Sequence, residues 1–135
     1  MGTVNETILP LGKDVSYRQT IAPDYVYGSF VGNDSDDHVF KVSGQGKGRM
    51  TVCVNNATDK TATVTVYGAH SATAAIGDAG VVELGGAGES VFTVATTVCD
   101  YETYNDPFPY YIIKVTLAAD PDGETVTVYV SFQGQ

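Results

Sequence analysis

The chain has 135 residues and a formal net charge of −9, from 16 acidic and 7 basic residues. This length fits a single domain, which can bury enough surface to be stable without metal ions. The basic residues are scattered, and only Lys47 and Arg49 are close neighbours, which excludes binding to a nucleic-acid backbone. No run approaches the ~20 apolar residues of a membrane span. No basic stretch followed by apolar residues opens the chain, so we expect either a protein used without secretion or one whose signal peptide has been removed. An acidic surface would repel anionic membranes, so we expect no membrane partner.

The kind of hydrophobic residue predicts strands. Hydrophobic residues make up 43% of the chain, and they include nine tyrosines and five phenylalanines beside abundant valine. Aromatic and β-branched side chains favour strands over helices. Fifteen glycines and five prolines punctuate the chain as turns would.

In chain order, residues 1–13 are interpreted as an N-terminal arm or a short edge strand, and residues 14–135 as one β-sandwich domain. Five segments have weaker strand patterns: Thr3–Leu9, Asp14–Ile21, Tyr25–Val31, Asp37–Val42 and Ser90–Val98. Two pairs of regular period-two runs are stronger. The pair within Met50–Tyr67 is joined by a polar turn and predicts one hairpin. The pair within Tyr111–Phe132 is joined by Asp120–Gly123 and predicts a second.

Together these patterns predict an all-β fold, an antiparallel two-sheet β-sandwich of jelly-roll or Ig-like type with about seven to nine strands. Two segments do not follow the strand rhythm, Gly68–Glu89 and Cys99–Pro109. The first is long and rich in small residues, so it is functional, mobile or conceals a short strand. If particular residues carry the function, we expect them in these two segments.

The second of these segments is rich in aromatic and acidic residues. Tyrosine and phenylalanine bury large areas at low entropic cost and are enriched at interfaces. Rings beside carboxylates also suit sugar binding, with Asp100 or the Asp34–Asp37 loop as further hydrogen-bonding groups. Alternatively, these aromatic rings contact no partner or ligand and pack over the open end of the sandwich. The predicted interface or ligand contacts are Tyr101, Tyr104, Asp106, Phe108 and Tyr110.

Other chemistry is poorly supported. Asp34, Asp36 and Asp37 are a weak candidate for binding a hard cation, but a solvated turn is favoured because the spacing of a calcium-binding loop is missing. His38 and His70 have no partner at zinc-ligand spacing. No catalytic motif is present, so we expect no enzyme activity and no cofactor. Cys53 and Cys99 could form one disulfide or remain two free thiols, and the sequence leaves both open, with free thiols slightly favoured.

The second half of the chain, 49–135, resembles the small β-sandwich proteins that decorate the heads of tailed bacteriophages. The segments that carry the resemblance are Met50–Val54, Thr63–Tyr67, Tyr110–Val115 and Val126–Phe132. The resemblance implies a structural virion protein that stabilises the capsid, with the major capsid protein or other virion subunits as partners. It also implies a homo-oligomer, a trimer in the first instance, made in the host cytoplasm. A carbohydrate-binding or adhesion module, acting outside the cell, is the alternative.

Overall fold

The computed structural model describes residues 4–8, 25–44, 48–85 and 91–133, with side chains from Tyr27 onward. The described part contains ten strands and no helix, which confirms the predicted all-β sandwich. The strands are β1 (Val4–Ile8), β2 (Tyr25–Val31), β3 (Asp37–Ser43), β4 (Arg49–Asn56), β5 (Ala62–Ala69), β6 (Val82–Glu83), β7 (Val91–Val94), β8 (Val98–Tyr104), β9 (Tyr110–Leu117) and β10 (Thr125–Gln133).

The strands form two sheets. Sheet A has the order β1-β3-β9-β5-β6, and β7 also pairs with β5. Sheet B has the order β2-β10-β4-β8. All of these pairs are antiparallel except β1 with β3, which is parallel. Among the strands described for sheet B, β2 and β8 are therefore the two at its edges.

The core lies between the sheets because both contribute every second residue to it. In β4 and β10 buried side chains alternate with more exposed ones along the whole strand. Val52 and Val128 from sheet B and Val64 and Ile113 from sheet A are completely buried. The period-two pattern therefore identified the inward faces of these strands correctly.

Both predicted hairpins are wrong. Strands β4 and β5 lie in different sheets, and so do β9 and β10. Each turn carries the chain across the core to the opposite sheet. Turn residues permit a reversal of direction, but they do not determine whether the returning strand pairs with its predecessor or packs over it.

A buried asparagine stabilises the first of these two turns, where the chain passes from β4 in sheet B to β5 in sheet A. Asn56 is the last inward residue of β4, and its Nδ2 donates to the carbonyl oxygens of Lys60 (2.7 Å) and Val94 (3.2 Å). Its Oδ1 accepts from the backbone N–H (3.0 Å) and the hydroxyl (2.7 Å) of Thr58. Both side chains are completely buried. Asn56 thus joins the end of sheet B to β7 of sheet A.

The weaker strand predictions have mixed outcomes. Those for 3–9, 25–31 and 37–42 correspond to β1, β2 and β3, whereas 14–21 lies outside the described residues. The predicted strand Ser90–Val98 is interrupted after Val94, and β8 begins at Val98. Thr97 in this turn has a positive φ of 56°, a conformation that a β-branched residue rarely adopts and that ends the strand.

The two segments without strand rhythm also contain strands. In the first, β6 is the concealed short strand, while 86–89 lies outside the described residues. Most of the second is β8, which pairs along its whole length with β4. Only 105–109 is irregular there. The expectation that 99–109 is a loop is therefore corrected.

Candidate functional site

The five predicted contact residues do not form one site. Tyr101 points outward from sheet B and is 63% exposed, whereas Tyr104 on the same strand is 1% exposed. They lie on opposite faces because they are three positions apart in a strand. Tyr104 packs in the main core. Its burial corrects the prediction that this ring contacts a partner or ligand.

Two buried tyrosine hydroxyls differ in their partners. The hydroxyl of Tyr104 has no hydrogen-bond partner among the residues that the structure describes, and burial, with Glu102 nearby, raises its pKa. The hydroxyl of Tyr111 donates to the carbonyl oxygen of Asp106 (2.9 Å) and accepts from the N–H of Phe108 (3.0 Å). Tyr111 therefore positions the irregular segment 105–109 from inside the core. Burial also raises the pKa of Tyr111.

Phe108 and Tyr110 pack against the protein. The ring of Phe108 lies directly on Gly68, where an added Cβ would come within 2.5 Å of it, and 5.4 Å from the ring of His70. It closes one end of the sandwich, as the packing alternative expected. Tyr110 packs on a small second cluster at the outer face of sheet A. Asp106 is exposed beside this end.

The acidic loop forms local hydrogen bonds. Asp34 accepts from Nε2 of His38 (2.9 Å) and from the N–H of Asp36 (3.1 Å), and Asp37 accepts from the hydroxyl of Thr116 (2.7 Å). The hydrogen bond from His38 is the largest cause that holds the pKa of Asp34 below its usual value. Among the described residues, no group of three or more ligating side chains could hold a metal ion.

A row of aromatic side chains crosses the outer face of sheet B. In the strand register, Tyr129 of β10 lies opposite Tyr27 of β2 and opposite Cys53 of β4. Cys53 in turn lies opposite Tyr101 of β8. The row therefore spans all four strands, about 14 Å at the usual strand spacing. Tyr27, Tyr129 and Tyr101 are 60%, 39% and 63% exposed.

The face around this row is almost uncharged. Its other described side chains are mostly serine, threonine and asparagine, with Val31 exposed at the β2 edge. Arg49 is the one charged residue among the described outward positions of sheet B, and none of those positions is acidic. In a chain of net charge −9 this absence of acidic groups distinguishes the face. We call this surface the tyrosine face.

The outer face of sheet A is different. The turns of 70–81 fold over it, and a cleft of about 250 Å³ remains beneath them. The cleft has an apolar floor and both signs of charge at its rim; its lining residues are Asp37, Val39, Lys41, Ala75, Ile76, Ile112 and Lys114. Sequence reasoning did not identify this cleft, because only the folded loop creates it.

Comparisons with known proteins identify the fold. No protein family and no curated protein matches the chain in sequence. A lysozyme inhibitor from Aeromonas hydrophila is similar in structure (18% identity, 97% and 98% of the two chains covered, TM-score 0.52). So are the Yersinia pseudotuberculosis-derived mitogen (9%, 84% and 90%, TM-score 0.58) and the copper-binding surface protein CorA of Methylomicrobium album (13%, 97% and 99%, TM-score 0.55). At these identities the likeness concerns the fold.

The fold is therefore a β-sandwich that also occurs in an inhibitor, a mitogen and a metal-binding surface protein. No helix in the described part of the chain is long and apolar enough to cross a membrane.

Proposed function

We propose that this protein is a non-enzymatic structural subunit that works by binding protein, and that the tyrosine face is its contact surface. The observation that carries the proposal is the row of three exposed tyrosines on a face whose described outward positions hold no acidic side chain. Tyrosine is enriched in the energetically important centre of protein interfaces, and acidic residues are depleted there.

Charge makes this face the favourable place for association between copies. A net charge of −9 repels copies of the chain from one another. The repulsion is reduced wherever one of the two facing surfaces carries no acid, because fewer like charges are then buried unpaired. A second copy of the chain is therefore the first partner that we assign to the face.

A more specific form of this proposal rests on the resemblance to phage decoration proteins. In it the subunits form a trimer on a capsid, and the protein acts in the virion or elsewhere outside the cytoplasm. In a cyclic trimer the tyrosine face of one subunit meets a different surface of the next. Contact with the major capsid protein would add area at other surfaces of the trimer.

Sugar binding is the second candidate, and one observation favours it. The rings of Tyr27 and Tyr129 lie 6.0 Å apart at 36° to each other, among hydroxyl and amide side chains that can bond sugar hydroxyls. A sugar-binding face would act in a monomer. A protein-binding face would not be accessible in the free oligomer.

The experiment is native mass spectrometry combined with a glycan array. The comparison includes wild-type protein and the variants Tyr27→Ser and Tyr129→Ser. The control variant is Val82→Ser, which removes a similarly exposed apolar side chain (47%) from β6 of sheet A. We expect a wild-type oligomer that both tyrosine variants weaken and the Val82 variant retains. A monomer that binds glycans through the same two tyrosines would reject the proposal in favour of the second candidate.

A further inference from the structure

The two cysteines lie side by side on the outer face of sheet B. Cys53 of β4 lies opposite Tyr101, and Cys99 of β8 lies opposite Asn55, two positions along the same face. Their Sγ atoms are 3.0 Å apart. A disulfide has an S–S distance of about 2.05 Å, so the sulfurs need to approach by only about 1 Å.

Access differs between the two thiols. Cys99 is exposed and lies on the edge strand, whereas Cys53 is partly covered between β10 and β8. Burial raises the pKa of the Cys53 thiol to about 12, with smaller contributions from Cys99 and Asp100. Because the thiolate is the nucleophile in disulfide exchange, Cys99 is the residue placed to react first with an external oxidant.

We propose that Cys53 and Cys99 form an intrachain disulfide when the protein meets a low-molecular-weight disulfide such as oxidised glutathione. The Cys99 thiolate attacks one sulfur of the oxidant, its S–S bond breaks, and one glutathione leaves as a thiol. The Cys53 sulfur then attacks the sulfur of Cys99 in this mixed disulfide and releases the second glutathione. The two cysteine thiols are oxidised, the oxidant is reduced to two thiols, and the two cysteine protons pass to them.

The bond would attach an edge strand to the interior of its sheet. Among the described strands β8 pairs with β4 alone, and edge strands open more readily than central ones. The covalent loop from Cys53 to Cys99 encloses β5, β6 and β7 of sheet A. A loop of this length is expected to raise the thermal midpoint by about 10 °C. The reaction needs an oxidising compartment, since thiols stay reduced in the cytoplasm.

The test treats reduced protein with oxidised glutathione and measures intact mass, with and without subsequent reductant. Wild type is expected to lose two hydrogen atoms and remain a single chain. Its thermal midpoint should be higher after oxidation than in the reduced state. Cys53→Ser is expected to stop at a glutathione adduct on Cys99, because the second thiol is missing. Cys99→Ser, whose remaining thiol is partly covered, is expected to form this adduct much more slowly.

Two results would overturn the proposal. One is wild-type protein that keeps a stable glutathione adduct or two free thiols, and the other is a covalent dimer as the main product. The Cys53→Ser/Cys99→Ser double variant controls for folding: its thermal midpoint should equal that of reduced wild type and should not respond to the oxidant. Both cysteines lie on the tyrosine face, so the reaction is run on protein diluted to the monomeric state, where the disulfide and the proposed function can fail separately.

Discussion

Tyr129 of β10 lies directly opposite Tyr27 of β2, with the two ring centroids 6.0 Å apart on the outer face of sheet B. Neither ring packs in the core, and Tyr27 and Tyr129 are 60% and 39% exposed. Cross-strand aromatic pairs stabilise a sheet by about 0.2–1 kcal/mol, which is small for side chains of this size. Their exposure on a face whose described outward positions lack acidic residues therefore agrees better with a role in contact than with a role in folding.

Replacing Tyr129 with serine should therefore change stability little. We expect a loss of at most about 1 kcal/mol in the free energy of unfolding, because only the pair with Tyr27 and partial burial are lost. Urea unfolding of monomeric wild type and monomeric Tyr129→Ser measures this difference in the free energy of unfolding. A loss of about 3 kcal/mol or more would show that the ring serves folding.

Asn56→Ala should be severely destabilising. The substitution removes the partner of the buried Thr58 N–H and the side-chain hydrogen bond to the carbonyl oxygen of Val94, together with the bond that Asn56 shares with Lys60. Each unsatisfied buried group costs about 1–3 kcal/mol, so we expect a loss of about 3 kcal/mol or more in the free energy of unfolding. Asn55→Ala is the matched control at the neighbouring exposed position, and it should cost about 0.5 kcal/mol. Equal effects of the two variants would refute the role of Asn56 at the crossing.

The two buried tyrosine hydroxyls predict opposite effects of one chemical change. Tyr111→Phe removes two hydrogen bonds that hold 105–109 and should cost about 1–2 kcal/mol. Tyr104→Phe removes a hydroxyl that has no partner in the described part of the chain and should be neutral or stabilise the protein by up to about 1 kcal/mol. Thermal unfolding of both variants measures the difference. A larger loss in Tyr104→Phe than in Tyr111→Phe would contradict these assignments.

Asp34 should make stability sensitive to acid. Its pKa is lower in the folded protein than its usual value, chiefly because it accepts a hydrogen bond from His38. The resulting stabilisation is present above the unfolded-state pKa of about 3.9 and is lost as the pH falls below that value through the folded-state pKa. The thermal midpoint of wild type should therefore fall more steeply than that of Asp34→Asn between about pH 5 and 3. Parallel curves would show that the Asp34–His38 contact contributes nothing.

The sequence predicted the class of fold and the inward face of each regular strand, because alternation with period two records burial directly. It did not predict which strands pair. The polar turns after β4 and β9 have the composition of hairpin turns, and both cross between sheets. The one local sign of a crossing was Asn56, a polar residue that continues the inward series of Met50, Val52 and Val54.

The tyrosine face could not be predicted for the same reason, because it depends on which strands pair. Tyr129 lies at an outward position that alternation identifies, and Tyr101 was among the predicted contacts. Their alignment with Tyr27 depends on the register of three strand pairs that are distant in the chain. Density of aromatic residues along the sequence instead favoured 101–111, where Tyr104 and Phe108 pack against the core.

The central claim is that the tyrosine face binds another protein subunit, and an acidic substitution there tests it most directly. Native mass spectrometry should compare wild type with Tyr129→Glu, Tyr129→Phe and Thr63→Glu. Thr63 is exposed on the outer face of sheet A and controls for the added charge. We expect wild type, Tyr129→Phe and Thr63→Glu to form the same oligomer and Tyr129→Glu to be monomeric. An oligomer that tolerates Tyr129→Glu, or a wild-type chain that stays monomeric, would contradict the proposal.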